Sequence, residues 1–376
     1  MRIGIVTYAK APYRNSQWEE ISKSYKLKIY YTGKNIEGRG WEVEKLKGIE
    51  EKGLKVIKKF GKYGYLNKGL IKVVQENDCI LLGGYEHPSY IILSILCRMY
   101  KKPFFLLYDG ISPKKIGMKE NKIKYLLKKL VINNAHGFFA NGTVGKEYFI
   151  ENFNIRKEKI FNQVLSVDNE TIQQISCSKE VIKRELVRKY DIQKFKHIII
   201  YSGRLLKSKN VYSIIESISL LDNKEKYLLL ILGDGEEKEN LRLLAENLGV
   251  NIRITGFISN QKELFKHYYL GDLLVLPSSN EVWGLVVNEA MAAGLPVVVS
   301  TECGCVKDLV IENFNGYTFP PKDVITLAKI LERILLKEDK EGLGRNSLEL
   351  IEEWNFKKSA QNFKHMIEKL GNKQAN

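Results

Sequence analysis

The sequence predicts an α/β protein built from two doubly wound, Rossmann-like domains that face a cleft. Its 376 residues fit two domains better than one. Apolar runs of strand length alternate with segments of helical periodicity, first in the N-terminal half and again in the C-terminal half, which is the pattern of parallel sheets covered by helices. Ligands of such sheets bind beyond the carboxyl ends of the strands, so a ligand cleft is expected there.

The first domain, residues 1–165, starts directly with a strand of buried character. Strands are expected there at 2–8, 26–32, 54–60, 78–83, 103–108 and 137–140, and helices at 89–101 and 119–133. The polar stretch 165–180 is where we place the linker. The second domain, 166–354, should contain strands at 197–202, 227–233, 252–256, 272–277 and 296–300 and helices near 210–221, 236–248, 261–269, 285–293 and 323–337. An amphipathic helix at 355–370 then joins the first domain.

The net charge of +16 lies entirely in the first domain. Residues 1–165 hold 31 Lys and Arg against 15 Asp and Glu, whereas the rest of the chain holds 29 of each kind. This asymmetry indicates that one domain meets an anionic surface, such as an acidic membrane, a phosphorylated acceptor or nucleic acid. A lysine-rich proteome would also give many lysines, although it would not explain the asymmetry, so both interpretations stay open.

Targeting and redox signals favour a cytoplasmic protein. No stretch reaches the roughly 18 apolar residues that a membrane span needs, and no signal peptide precedes the first strand. The five cysteines are an odd number without the paired spacing of a zinc site. We therefore expect reduced thiols and no structural metal.

The strongest chemical signal is the segment 281–289 (EVWGLVVNE), which follows a strand and opens a helix. The N–H groups of Gly284, Leu285 and Val286 have no partner inside such a helix and favour an anionic phosphate. Glu289, further along, is placed to accept hydrogen bonds from ribose hydroxyls. Taken alone, two glutamates eight apart would fit a helix cap and a solvated side chain better.

Three other strand ends of the same sheet carry polar or glycine-rich loops. Arg204 and Lys209 lie in GRLLKSKN (203–210), where together they could neutralise a diphosphate. Gly233 opens a GDG turn, and Phe257 closes the TGF segment. Because the carboxyl ends of parallel strands meet at one edge, we expect these loops to converge.

These segments together resemble the retaining glycosyltransferases of family 4, the "glycosyl transferases group 1" of the glycogen-synthase-like superfamily, which have the GT-B fold. The resemblance covers about residues 197–320 through GRLLKSKN, ILGDGEE, ITGF, PSSNEVWGLVVNEAMAAGLPVVVS and GCVKDLVIENFNGYTF, in the family's order. It implies transfer of a hexose or N-acetylhexosamine from a nucleotide-diphosphate sugar, with UDP favoured, to a glycan or lipid-linked acceptor in bacterial surface polysaccharide or glycoconjugate synthesis. It also implies retention of the anomeric configuration, no metal and no other cofactor.

The resemblance assigns roles to residues of the second, donor-binding domain. Arg204 and Lys209 would bind the departing diphosphate, Glu281 and the backbone at 283–286 would hold the donor sugar and phosphate, and Glu289 the ribose. The expected catalytic residues are Arg204, Lys209, Glu281 and, on the acceptor side, Asp109. The expected donor pocket consists of Gly203, Arg204, Lys209, Gly233, Phe257, Glu281, Trp283, Gly284, Leu285, Val286 and Glu289.

The first domain, which would bind the acceptor, resembles the family less closely. Asp109 follows the strand PFFLLY and is a candidate for accepting the acceptor's proton, although a turn or cap role before Gly110 fits as well. His87, in YEHP, lies at another strand end, where it would contact the acceptor or start a helix before Pro88. Arg14 and Asn15, in the loop expected after the first strand, are further acceptor candidates.

Helix 119–133 places Ile123, Leu126, Leu127, Leu130 and Val131 on one face and lysines on the rest. One interpretation is a helix that packs this face on the core. The other is a membrane-surface helix on acidic lipid, which would make the protein peripheral on the inner face of the cytoplasmic membrane.

Two alternative functions remain open on the sequence. A GT-B-related nucleotide-sugar epimerase would need no acceptor, although the 283–286 loop argues against it. A non-catalytic module that binds an anionic surface would use the positive charge alone. Nucleic acid is not expected as a partner, because no known recognition motif is present.

Overall fold

The computed structural model describes residues 1–33, 45–61 and 64–371. Internal contacts divide the chain into two compact units. The first comprises 1–111, 115–165 and the segment from residue 356 onward, and the second comprises 112–114 and 166–355. Both units have an all-parallel main sheet with helices along the chain between strands, which confirms the predicted class of two Rossmann-like α/β domains.

Within the ranges given above, the main sheet of the first unit has seven strands in the order β3-β2-β1-β6-β7-β8-β9. Its elements up to residue 165 are β1 (Arg2–Thr7), α1 (Pro12–Ser22), β2 (Lys26–Tyr31), β3 (Glu50–Gly53), β4 (Val56–Lys59), β5 (Tyr65–Asn67), α2 (Leu70–Gln75), β6 (Cys79–Leu82), α3 (Pro88–Met99), β7 (Phe104–Tyr108), α4 (Lys122–Asn134), β8 (Gly137–Ala140), α5 (Gly142–Phe153) and β9 (Ile160–Asn162). Of the strands in the described part of this unit, β4 and β5 alone lie outside the main sheet, where they form a two-stranded antiparallel ribbon.

The second unit has a six-stranded sheet in the order β12-β11-β10-β13-β14-β15. Its elements are α6 (Asn169–Ser176), α7 (Lys179–Tyr190), β10 (His197–Ser202), α8 (Tyr212–Ser219), β11 (Tyr227–Leu232), α9 (Lys238–Leu248), β12 (Asn251–Ile254), α10 (Gln261–Tyr268), β13 (Leu273–Leu276), α11 (Leu285–Ala292), β14 (Val297–Ser300), α12 (Val306–Leu309), β15 (Gly316–Phe319), α13 (Val324–Glu332), a π-helical turn (Arg333–Lys337) and α14 (Lys340–Ile351). The last helix, α15 (Phe356–Gly371), belongs to the first unit.

Alternate residues of the first unit's strands build cores on the two faces of its sheet. In β7, Phe104 and Leu106 join one cluster and Phe105 and Leu107 join the other. The second cluster also contains the apolar residues of α1 and α15. Because both faces are covered, the strands read as continuous apolar runs, which is why the sequence predicts them well.

Three sequence expectations need correction. The predicted linker 165–180 is largely helical: Asp168 caps α6 by accepting a hydrogen bond from the Thr171 N–H at 3.0 Å, and Ile172 is buried. The predicted strand 54–60 is β4 of the separate ribbon and does not extend the main sheet. The apolar face of α4 does not pack on the core, because four of its five predicted members are exposed and only Val131 is buried.

Candidate functional site

The loops after β10, β11 and β13 are tied together at the carboxyl edge of the second sheet. The Gly203 N–H donates to the Leu232 carbonyl at 3.0 Å, and the Leu205 N–H donates to the Asp234 carbonyl at 2.9 Å. On the other side, the Ser279 N–H donates to the Ser208 carbonyl at 2.9 Å. Backbone bonds therefore hold the loop that carries Arg204 and Lys209 between its two neighbours.

Glycine is required where these loops touch. A Cβ on Gly233 would lie 1.9 Å from the carbonyl oxygen of Gly203, and one on Gly304 would lie 2.0 Å from the carbonyl oxygen of Val282. Both obstacles are backbone atoms that cannot turn away. The site loops can therefore approach one another only because these two side chains are absent.

Lys209 and Glu281 form an ion pair, and each side chain is 18% exposed. The Ser278 hydroxyl also donates to Glu281, at 3.4 Å. Arg204 lies five residues before Lys209 on the same loop, and its exposed side chain makes no hydrogen bond or ion pair with any residue that the structure describes. Its backbone is fixed instead, because the buried Tyr201 hydroxyl donates to the Arg204 carbonyl at 2.9 Å.

The start of α11 lies beside this pair. Gly284 precedes the helix with φ of +103°, a conformation that favours glycine. The Trp283 side chain is buried, donates from Nε1 to the Asn288 side-chain oxygen at 3.0 Å and lies 5.2 Å from the Trp354 ring, measured between centroids. Trp283 thus anchors the helix start, and the half-buried Leu285 and Val286 carry the first helical N–H groups, which have no partner within the helix.

Glu289, the second glutamate of the motif, is 8% exposed and accepts a hydrogen bond from the Tyr268 hydroxyl at 2.5 Å. Burial raises the pKa of Glu289 to about 7, and the Tyr268 hydrogen bond opposes that rise. The sequence prediction missed Tyr268, because nothing local in α10 marks it as a partner of α11. Phe257, in the loop after β12, is 58% exposed and so offers an open aromatic face.

The structure brings the predicted donor-site residues of the second unit onto one edge of its sheet, whereas Asp109, Arg14, Asn15 and His87 belong to the first unit. Asp109 pairs with Arg14 and also accepts from the Tyr13 hydroxyl at 3.1 Å. Arg14 is buried and donates to Gln17 as well, which gives it a packing role in α1. Asn15 is half-buried on the same helix.

His87 lines a cavity of about 640 Å³ in the first unit, at the carboxyl ends of β1, β6 and β7. It stacks on Tyr90 with ring centroids 5.1 Å apart and meets Tyr8 edge to face at 5.7 Å. Burial lowers the pKa of His87, although the Glu86 carboxylate opposes this, so the ring is neutral at pH 7. Among the residues that the structure describes, five tyrosines share the cavity wall with it: Tyr8, Tyr65, Tyr85, Tyr90 and Tyr108.

In the part of the chain that the structure describes, no group of three or more His, Cys, Asp or Glu side chains is placed to hold a metal ion. Within the same part, no helix has the length and apolar character that crossing a membrane requires.

Comparisons with known proteins bear on the second unit and on the fold. The family model described as Glycosyl transferases group 1 matches residues 182–348, which include Arg204, Lys209, Glu281 and Glu289. An uncharacterized glycosyltransferase of Methanocaldococcus jannaschii is 33% identical over 39% of this chain and 38% of its own length. The N-acetyl-alpha-D-glucosaminyl L-malate synthase of Bacillus anthracis is 28% identical over 48% of this chain and 46% of its own. The matches thus span less than half of these relatives.

A solved structure matches nearly the whole chain. The Anabaena protein HepE, crystallised in complex with UDP, superposes with a TM-score of 0.77 over 98% of this chain and 100% of its own, at 17% identity. The structural neighbours are glycosyltransferases of the GT-B class, so the fold of this chain is GT-B.

Proposed function

Because its second unit matches Glycosyl transferases group 1 and its fold is GT-B, we propose that the protein is a glycosyltransferase of that group. It moves a hexose or N-acetylhexosamine from a UDP-sugar to a glycan or lipid-linked acceptor in surface polysaccharide or glycoconjugate synthesis. The observation that carries the proposal is the meeting of the Lys209–Glu281 pair and the start of α11 at one edge of the second sheet. The two named relatives are a glycosyltransferase and a synthase, which gives the epimerase and the binding module no support.

The donor half of the reaction needs a stabilised leaving group. When the bond between the anomeric carbon and the β-phosphate oxygen breaks, the electron pair stays on the phosphate. Lys209, the exposed Arg204 guanidinium and the first N–H groups of α11 supply positive charge for that oxygen. We propose that these groups suffice without a metal ion and that Glu281, held by Lys209, contacts the donor sugar.

Glu289 is placed in this proposal to bind the ribose. A carboxylate accepts hydrogen bonds from two vicinal hydroxyls, and a buried carboxylate does so in competition with little water. The Tyr268 hydroxyl holds one of its oxygens, so the side chain is oriented before the donor arrives. The acceptor hydroxyl attacks the anomeric carbon on the face that the leaving group vacates, and its proton passes to the departing β-phosphate oxygen, so retention of the anomeric configuration is part of the proposal.

The acceptor is proposed to bind in the cavity of the first unit. Its tyrosine rings offer apolar faces to the C–H surface of a pyranose, and their hydroxyls offer hydrogen bonds to its edge. A neutral His87 can donate or accept a hydrogen bond there. Because Asp109 is already bound by Arg14 and Tyr13, we assign it to orienting the edge of this site and give the contact with the acceptor to His87.

Ligand-dependent melting tests the donor assignment. UDP and UDP-sugars should raise the melting temperature, since they bind only the folded state, whereas uridine should not. Lys209→Ala should lower the rate of UDP release from the matching UDP-sugar by about 100-fold to 1,000-fold. Lys207→Ala, an exposed lysine on the same turn, is the matched control and should leave the rate unchanged. Full turnover in Lys209→Ala would defeat the assignment.

A further inference from the structure

Helix α4 exposes the apolar side chains that its periodicity places together. Ile123 is 71% exposed, Leu126 62%, Leu127 47% and Leu130 42%. Their spacing puts all four on one face, which in an ordinary surface helix would be the buried face. The neighbouring α3, which packs against α4, adds Ile92, Ile95 and Met99, exposed at 37%, 44% and 71%. These seven side chains are called the apolar face below.

Ion pairs fix the rotation of α4 that produces this exposure. Lys128 is buried on the opposite side of the helix, 2.6 Å from a Glu120 oxygen and 3.1 Å from a Glu86 oxygen. Its ammonium group also lies over the Tyr85 ring at 5.3 Å. A buried lysine is costly to leave unpaired, so the helix cannot turn its leucines inward without breaking both pairs.

Positive charge flanks the apolar face at both ends of α4. Lys119 and Lys122 are exposed at its N-terminal end and make no ion pair with any described residue. Near the C-terminal ends of α3 and α4, a cavity of about 730 Å³ is lined by Arg98, Lys101, Lys102, Lys159 and His136, and none of the described residues in its wall is acidic. The charge would repel a second copy of this face but complements an anionic surface.

We propose that the apolar face docks on an anionic lipid bilayer, with its aliphatic side chains at the acyl boundary and the flanking lysines on lipid phosphates. A transferase that uses a lipid-linked acceptor must work at the membrane surface, and the apolar face with its flanking lysines is the part of this protein that would contact the anionic lipid. The docking proposal rests on the proposed function only for that purpose, because lipid binding is measured without donor or acceptor. Each can therefore fail while the other stands.

Vesicle flotation tests the proposal with the full chain. The protein should float with vesicles of phosphatidylcholine plus phosphatidylglycerol and stay behind with phosphatidylcholine alone. Leu126→Gln with Leu130→Gln should weaken binding at least about tenfold, as expected for two side chains that no longer bury apolar area. Lys119→Gln with Lys122→Gln should weaken it about fivefold per lysine. Leu220→Gln with Leu243→Gln, 59% and 58% exposed in the second unit, is the matched control and should float as the wild type does.

Three results would overturn the proposal. The proposal fails if the wild type does not float with anionic vesicles. The docking surface is wrong if Leu126→Gln with Leu130→Gln floats as the wild type does. A dimer in sedimentation velocity that this double substitution dissociates would show that a second copy covers the face. A cooperative melting transition at the wild-type temperature, without ligand, establishes that each variant is folded. The UDP-sugar shift on the same samples reports separately on the proposed function.

Discussion

Replacing Glu289 by Gln should make the protein more stable near neutral pH and a poorer binder of its donor. The Glu289 carboxyl is 8% exposed, and burial raises its pKa from 4.5 to about 7. Ionising a buried carboxyl lowers the stability of the folded protein, and a role in binding ligand hydroxyls would explain why this residue is a glutamate. The substitution keeps the shape and an oxygen that can accept from Tyr268, and it removes the charge.

The direction in which stability changes with pH follows from which state of the chain holds the Glu289 proton. Below about pH 4.5 both the folded and the unfolded chain hold the Glu289 proton, so the group contributes nothing to pH dependence. Between that value and about 7 only the folded chain keeps it, and stability falls as the pH rises. At 1.36 kcal/mol for each pKa unit, the full cost above pH 7 is about 3 kcal/mol. Glu289→Gln escapes this cost, so its advantage should grow from acid to neutral pH and then level off.

Thermal melting over a pH series measures this difference. For a unit of this size, about 3 kcal/mol corresponds to a rise in melting temperature on the order of 5–10 °C. Glu246→Gln, which neutralises an exposed carboxylate on α9, is the matched control and should follow the wild type at every pH. Tyr268→Phe removes a hydrogen bond that favours the ionised form, so it should destabilise the protein more at about pH 8 than at about pH 5.

Donor binding should move in the opposite direction. Loss of a charge-assisted hydrogen bond weakens binding by roughly 10-fold to 100-fold, so Glu289→Gln should need that much more UDP-sugar for the same occupancy. UDP-glucose is the better probe, because it lacks a terminal phosphate that titrates near neutral pH. Lower stability of Glu289→Gln at about pH 8, or unchanged affinity for the UDP-sugars that the wild type binds, would refute the reasoning.

Two further substitutions probe the scaffold of each unit. Asp109→Asn leaves the buried Arg14 charge without its carboxylate partner. It should lower the free energy of unfolding by about 2 kcal/mol, a modest value because the carboxylate is one third exposed. Asp222→Asn, on the surface, is the control, and equal melting temperatures for the two variants would show that the Arg14–Asp109 pair is not structural. Gly304→Ala puts a Cβ against the Val282 carbonyl, so it should lower the melting temperature by an amount on the order of 5 °C and should weaken UDP binding. Gly53→Ala, whose Cβ would meet no described atom within 4 Å, should change neither quantity. An unchanged melting temperature in Gly304→Ala would show that the loop before α11 adjusts without strain.

The strands of both sheets could be predicted because burial on both faces leaves a mark that is local in sequence. The residues of β10 and β11 are buried throughout, so six consecutive residues signal each strand. Helix α1 left no such mark, because Arg14 and Gln17 are buried among apolar neighbours and break the helical period. Its buried polar groups are satisfied by distant partners, Asp109 and Ser359, that no local window contains.

The candidate site also contains residues that could be predicted from the sequence and residues that could not. Arg204, Lys209, Glu281 and Glu289 lie in segments whose order and spacing mark them together, and parallel topology brings strand ends to one edge, so their meeting could be expected. The partner of Glu289 could not, because Tyr268 lies on a different helix and its neighbours carry no distinguishing pattern. Sequence thus identifies the candidate ligand-binding groups better than the groups that hold them in place.

Helix α4 shows why periodicity alone cannot assign a buried face. Its pattern shows which residues share one face of the helix, but it does not show whether that face packs against the core. Lys128 determines which face of α4 is buried, and its two acidic partners, Glu86 and Glu120, lie 42 and 8 positions away in the chain. Burying one paired lysine with Val131 and Ile132 leaves four aliphatic residues in water, an arrangement that costs free energy unless something apolar covers them. The lysines beside that face repel another copy of the protein and attract phosphate, so an anionic membrane is the cover that the charges favour.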